Sequence, residues 1–355
     1  MTQSHSQMSF LCFGAGAIGT YLGGSLAKSG QRVVFVDRPE VASQIQHDGL
    51  YLNILGVESH LEAIETAASI ETALPKGPFD FGILAVKTFD TQAFADQLRP
   101  YAAQLPPVIS FQNGVENEPL LAATLGQEKV IYGSVTSAVG RRGIGNIILE
   151  RHRGLGVASE LPLMPTLVGV MNEAGLNARI YHNAAAMKWS KMLTNLQTNA
   201  SAAILNMLPS QILAHPRLYR LEICQLREAL AVMAVLNLPV VDLPGAPVRL
   251  LAWMAKALPF AVSRPLAQWF LGRGRGAKRP SFLIDLDAGR EKSEVDYLNG
   301  AVVRFGERLG VPTPVNRALN QTLNAIVRGE KVWSEFSGKP ETLLAAAGLL
   351  AAAGL

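Results

Sequence analysis

The sequence predicts an α/β N-terminal domain joined to an all-α C-terminal domain, and three observations carry that expectation. Between Ser9 and about Gly140 short β-rich runs alternate with helical patterns, beyond about His182 the strand signals nearly vanish, and long apolar periodicities take their place. The runs "FLCFG", "RVVFVD", "FDFGILAVK" and "PVISFQNG" are almost continuously apolar, as strands covered on both faces of a parallel sheet must be. Segments such as 17–29 and 90–103 supply the crossovers between them. Shorter strands and turns around 146–159 are expected to close one edge of the sheet. In the second half helical patterns cover 184–204, 217–235, 292–309 and 316–327. In the third of these, Val295, Leu298, Val302, Phe305 and Leu309 recur at helical spacing and give one buried stripe. The boundary is expected near 181–184, which sets domains of 1–182 and 183–355.

Composition narrows the function classes. A chain of 355 residues, 49% of them hydrophobic, can fill two cores. The stretch Met1 to Gln7 is polar and lacks the basic-then-apolar order of a secretory signal, so a cytoplasmic protein is expected. The two cysteines, Cys12 and Cys224, form no CxxC and join no Cys/His cluster that could hold zinc; both read as buried small hydrophobes. A net charge of +4 is modest, and apart from "GRGRGAKRP" at 272–280 the basic residues are scattered, so that run reads as a solvated loop and not as a nucleic-acid contact. The apolar segment 246–270 is interrupted by Arg249, Lys256 and Arg264 and broken by Pro259 and Pro265, short of the roughly 20 apolar residues that a membrane span needs. One or two amphipathic helices, serving as a lid or a subunit contact, are expected there. The apolar tail 343–355 reads as a helical end without a legible use, although with the helical domain it is compatible with a homodimer.

Chemistry enters with "GAGAIG", Gly14 to Gly19, set between an apolar run and a helical pattern and followed by the run "RVVFVD". In that context Gly14 allows the tight turn, Gly16 lets the backbone approach a pyrophosphate and Gly19 lets helix and sheet pack closely, the phosphates resting on the free N–H groups of the helix start. The fold class is therefore an α/β Rossmann-type N-terminal domain with an all-α C-terminal domain. Asp37 ends the second run where an acidic residue accepts from the ribose hydroxyls of NAD, and Arg38 beside it is either a solvated residue or a partner for the extra phosphate of NADP.

Lys87 of "LAVKTFD" and Asn113 of "SFQNGVE" end two further predicted strands, on the sheet edge where ligands of open α/β sheets bind. In the second half Lys191, Asn195 and Asn199 are spaced four apart, so on one helix they form a polar stripe. Asparagine is a poor helix former, and two of them in an apolar helix point to a stripe that lines a cleft or to an exposed face. Further on, Ser281 and Glu294 lie on opposite sides of the turn "AGR"; Glu294 reads equally as first-turn decoration of a helix starting near Lys292.

In this order the pieces resemble the ketopantoate reductase family, which reduces 2-dehydropantoate to pantoate with NADPH. The resemblance runs from about Met8 to Arg328 and rests on GAGAIG, the lysine of "AVK", "QNG", the K-x3-N-x3-N stripe and "RPSFLID...GR...SEVDYLNG". It implies that Gly14, Ala15, Gly16, Ala17, Ile18 and Gly19 hold the cofactor pyrophosphate, with Arg38 and Lys87 facing the 2′-phosphate. It implies Lys191 as general acid and Glu294 as the carboxylate that orients it, also in reach of the cofactor. Asn113, Asn195, Asn199 and Ser281 resemble the positions that bind the substrate or order the lysine, Asn113 touching the cofactor too. The implied partner is a small 2-oxo acid held in an interdomain cleft. The sequence departs from the family pattern in an Asp285–Glu294 interval one residue longer, in the segment 246–270, and in Asp37, which leaves NADH open beside NADPH. Two other readings share the first half: a non-catalytic NAD(P)-binding sensor, and a reductase of another 2-oxo acid.

Overall fold

The computed structural model describes residues 7–275 and 280–349. The start of the chain through Ser6, positions 276–279 of the basic run and the tail from 350 onward lie outside the described residues. The chain divides into two compact units, one comprising Met1–Lys188 with Leu243–Ala246, the other Trp189–Asp242 with Pro247–Leu355. Among the described residues no helix is long and apolar enough to cross a membrane.

The first unit is built on strands β1 (Ser9–Phe13), β2 (Arg32–Val36), β3 (Leu50–Ile54), β4 (Val57–Leu61), β5 (Glu65–Ala67), β6 (Phe81–Leu84), β7 (Val108–Ser110), β8 (Val130–Val135), β9 (Ala138–Gly143), β10 (Asn146–Arg151), β11 (Leu155–Ala158) and β12 (Ala178–Ile180). Eight of them form one sheet in the order β12-β11-β8-β7-β6-β1-β2-β5. All its pairings are parallel except β11 with β8. Side chains alternate across this sheet: Phe10 and Cys12 join a cluster with Phe35, Ile83 and Ile109, while Leu11 and Phe13 join a second with Val34, Leu84 and Val108. Both clusters are buried, which is why these strands read as unbroken apolar runs.

Only part of the expected edge closure is found. β11 and β12 do extend the main sheet, but β10 leaves it and pairs with β3 and β9 in a separate sheet of order β4-β3-β10-β9. The partner of β10 comes from about a hundred residues earlier in the chain, and local periodicity carries no information about such pairing. Helices α1 (Ala17–Lys28), α2 (Pro39–Asp48), α3 (Ile70–Ala73), α4 (Thr91–Leu98), α5 (Asn117–Leu125) and α6 (Met164–Glu173) complete the unit, and the first turns of α7 (Ala184–Leu196) end it.

The second unit is helical: the rest of α7, α8 (Asn199–Leu205), α9 (Pro209–Ala214), α10 (Pro216–Val235), α11 (Val248–Ala257), α12 (Phe260–Arg275), α13 (Ser281–Asp287), α14 (Val295–Leu309), α15 (Pro314–Val327) and α16 (Pro340–Ala346). The expected stripe on α14 buries Val295, Leu298 and Val302, whereas Phe305 and Leu309 are half-buried. The segment 246–270 folds into two helices broken at Pro259, with Leu250, Trp253, Val262 and Leu266 exposed. Cys12 is fully buried, and burial pushes its thiol up, but Cys224 is only half-buried because it faces away from the stripe by which α10 packs.

Candidate active site

The parallel register brings the first unit's candidate residues to one edge. Phe13 pairs with Val36 on one side and Leu84 on the other, and Leu84 pairs with Ser110, so the four strands end together. The residues that follow them, Gly14, Asp37, Arg38, Lys87 and Asn113, therefore leave the sheet at its carboxyl edge, where the strand order reverses about β1.

The glycine turn has the form that a dinucleotide requires. Gly14 has φ +93°, a conformation side chains rarely adopt, and its N–H donates to Val36 O at 3.0 Å. A Cβ on Gly19 would collide with the Gly14 carbonyl oxygen, so that glycine is required by the protein's own packing. Gly16 differs: a Cβ there meets nothing within 4 Å. It is the N-cap of α1, no side chain caps the helix, and no acidic residue occupies the first turn. The N–H groups of Ala17, Ile18 and Gly19 thus start a helix whose own first turn carries no acidic residue, a fit for a pyrophosphate.

Asp37 is bound into this turn. One carboxylate oxygen accepts from Ala15 N–H at 2.7 Å and the other from Arg38 N–H at 2.8 Å. The Arg38 side chain is 76% exposed and lies 3.4 Å from Glu40. Beside them a cavity of about 700 Å³ is lined by Gly14, Asp37, Arg38, Ser69, Asp90 and Tyr101 among others, large enough for a nucleoside.

Lys87 and Asn113 sit on two turns that are laced together. The Gln112 amide donates to Val86 O at 3.1 Å, to Lys87 O at 3.4 Å and to Thr91 Oγ1 at 2.8 Å. The Asn113 carbonyl accepts from Thr88 Oγ1 at 3.0 Å and from the Asn117 amide at 2.6 Å, while Gly114, φ +94°, reverses the chain. Both Lys87 and Asn113 are half-buried.

In the second unit Lys191 and Asn195 lie one turn apart on α7, both half-buried. Asn199 does not continue their stripe. Thr198 adopts a left-handed conformation, φ 52°, which ends α7 and starts α8 afresh at Asn199. Glu222 of α10 stabilises the break by accepting from Thr198 N–H at 2.7 Å and from Ser201 Oγ at 2.5 Å. The Asn199 amide oxygen accepts from Phe282 N–H at 3.2 Å, and its amide nitrogen lies 3.4 Å from Ser281 Oγ. Asn199 and Ser281 are therefore brought together, with Asn199 holding the start of α13. Glu294 is buried at the N-cap of α14, which begins at Val295 instead of near Lys292; Asp285, ion-paired to Arg290 at 3.2 Å, and Gly289, φ +64°, close the preceding turn.

Two buried acids escape the sequence reading. Glu118, fully buried on α5, lies 2.7 Å from the ammonium of Lys188. Glu222, 2% exposed, also accepts from the Gln225 amide, whose oxygen accepts from Asn299. Glu222 had a signal, since it falls at the spacing of Leu218, Gln225 and Ala229 on the inward stripe of α10, and so did the partner of Glu118, since Lys188 falls on the face of buried Met192.

Burial pushes the Glu222 carboxyl up to about 7. Its proton is then held more tightly by the folded chain, so stability present below about pH 4.5 is lost as pH rises toward 7, by about 3 kcal/mol at most. In Glu222→Gln, where the amide takes the place of the protonated acid, Tm scans should diverge upward from wild type between pH 5 and pH 8; parallel scans would contradict the raised pKa.

Comparison with known proteins identifies the family. The family model described as "Ketopantoate reductase PanE/ApbA" matches residues 10–159, and its C-terminal counterpart matches residues 183–327. The chain belongs to the ketopantoate reductase family. Members of this family are nicotinamide-dependent oxidoreductases acting on CH–OH groups, and this chain is one of them. A 2-dehydropantoate 2-reductase of Archaeoglobus fulgidus is 25% identical over 323 residues, covering 89% of this chain and 97% of its own. One from Mesorhizobium japonicum is 28% identical over 333 residues, covering 86% and 94%. Among solved structures, a PanE/ApbA family ketopantoate reductase from Ralstonia eutropha superposes with TM-score 0.76 at 26% identity, over 91% of this chain and 99% of that one. A D-mandelate dehydrogenase solved with NADH and anilino(oxo)acetate shares the ketopantoate reductase fold at 22% identity, with TM-score 0.74 over 91% and 99% of the two chains.

Proposed function

We propose that this ketopantoate reductase homologue reduces a 2-oxo acid, 2-dehydropantoate foremost, with NADPH as cofactor and Lys191 as general acid. The match of both halves to one family, with Lys191 and Asn195 a turn apart on α7, carries the reading. The bound reduced nicotinamide supplies the hydride. Gly14, Ala15, Gly16, Ala17, Ile18 and Gly19 form the turn that holds its pyrophosphate, the N–H groups at the start of α1 serving as donors. Lys191 gives its proton to the carbonyl oxygen as negative charge gathers there, and Glu294 orients the ammonium. Asn113, Asn195 and Ser281 hold the 2-oxo acid, and Asn199 sets Ser281 in place through its grip on α13.

The reading of NADPH over NADH draws its support from the Asp37 and Arg38 contacts. Both carboxylate oxygens already accept backbone N–H groups, while the Arg38 guanidinium stands exposed at the cavity rim, suited to a 2′-phosphate together with Lys87. Arg38→Glu should weaken NADPH by roughly 10- to 100-fold and leave NADH nearly unchanged. Titration of both cofactors by fluorescence checks this, and equal losses would remove the phosphate role.

The substrate reading is tested by following the oxidation of NADPH and, separately, NADH with 2-dehydropantoate and a panel of other 2-oxo acids. Turnover confined to another acid would correct the substrate. Tight NADPH binding with no turnover of any acid would instead favour a non-catalytic sensor.

A further inference from the structure

We propose that Lys188 is a positioning residue: paired with Glu118, its ammonium holds the backbone of the turn that presents Asn113, an inference that rests on Asn113 being a ligand contact as read above. Lys188 is 3% exposed and Glu118 fully buried, with Nζ 2.7 Å from Oε1. The ammonium also donates to Gln112 O at 2.7 Å and to Gly133 O at 3.2 Å. The ammonium thus makes two hydrogen bonds, to the turn after β7 and to β8, and an ion pair with the Glu118 carboxylate of α5, whose buried oxygens accept no hydrogen bond among the described residues.

Stability alone gives no reason for this pair. A buried ion pair is often no more stabilising than apolar side chains of the same volume, because both charges give up their hydration. What an apolar pair cannot do is bind the Gln112 carbonyl. That carbonyl lies in the peptide bond leading into Asn113, and the groups around it are committed in other directions. The Gln112 side chain grips the turn of Lys87, and the Asn113 carbonyl is taken by Thr88 and Asn117. The Asn117 amide oxygen in turn accepts from Thr91 Oγ1 at 2.9 Å. Lys188 completes this clamp on the Gln112 side. It stands three residues before Lys191 on α7, so the helix that carries the proposed acid is anchored, one turn earlier, to the Asn113 turn.

The double substitution Lys188→Met with Glu118→Leu separates placement from packing. Each single change leaves a buried charge or donor unmatched and should lower Tm by several degrees, whereas the double change should bring Tm back near wild type while kcat stays down by about tenfold or more. Recovery of kcat together with Tm would overturn the proposal. Should the double variant not fold, Glu118→Gln, which keeps the side-chain shape, is examined alone and in an Asn113→Ala background. The expected result is a loss of roughly fivefold in kcat and in NADPH affinity in the first case and no further loss in the second. Equal losses in both backgrounds would overturn it as well. NADPH affinity is read without substrate: if wild type reduces no 2-oxo acid, the proposed function fails, yet a loss of affinity that depends on Asn113 would still support Lys188 in this role.

Discussion

Lys191→Ala should lower kcat by roughly 10²- to 10⁴-fold, the usual contribution of a positioned general acid, while NADPH binding stays within about twofold of wild type. The split follows from the arrangement of the chain. Every residue proposed to hold the pyrophosphate lies on the turn after β1 or in the first turn of α1, and Lys191 lies on α7 in the other unit. On the proposed reading, removing the ammonium takes the proton from the step in which the carbonyl oxygen gains charge and leaves the glycine turn untouched. Steady-state kinetics with a reducible 2-oxo acid, together with fluorescence titration of cofactor, reads both quantities. A variant that kept more than about a tenth of its turnover would leave the general acid to another group.

Substitution of two glycines in one turn should separate folding from binding. Gly19→Ala forces a Cβ against the Gly14 carbonyl, a backbone atom that cannot rotate away, so α1 must move off the turn. A loss of about 1–3 kcal/mol of stability is expected, with cofactor binding lost as well. In Gly16→Ala the new methyl meets nothing of the protein within 4 Å, and Tm should be unchanged. It would nevertheless stand where the pyrophosphate approaches the backbone, so NADPH affinity should fall by about a hundredfold. Thermal melts and cofactor titrations on the two variants check the pair of outcomes; unchanged NADPH affinity in Gly16→Ala would place the dinucleotide elsewhere.

The parts legible in the sequence are those fixed by local geometry. The apolar runs of β1, β2, β6 and β7 became parallel strands because burial on both faces demands such composition, and the Gly14 turn carried its own signature. The helix repeats of α10 and α15 were equally plain. What escaped depends on partners far along the chain. The break at Thr198 could not be seen, because the sequence on either side is helix-compatible and the group that stabilises the break, Glu222, is 24 residues away. Lys188 was passed over for Lys191 on the same helix, although its contact with Gln112 spans 76 residues. Asn199 was read as part of a stripe on chemistry that also suits capping a helix, and only the fold shows which helix it caps.

The Gln112 side chain has a consequence for anyone redesigning this scaffold. By hydrogen-bonding both Val86 and Lys87 carbonyls across the gap between neighbouring crossovers, it turns two loops into one mechanical piece. Grafting either loop by itself from a homologue would strand those carbonyls or that amide, so altered specificity must be transplanted as a matched set.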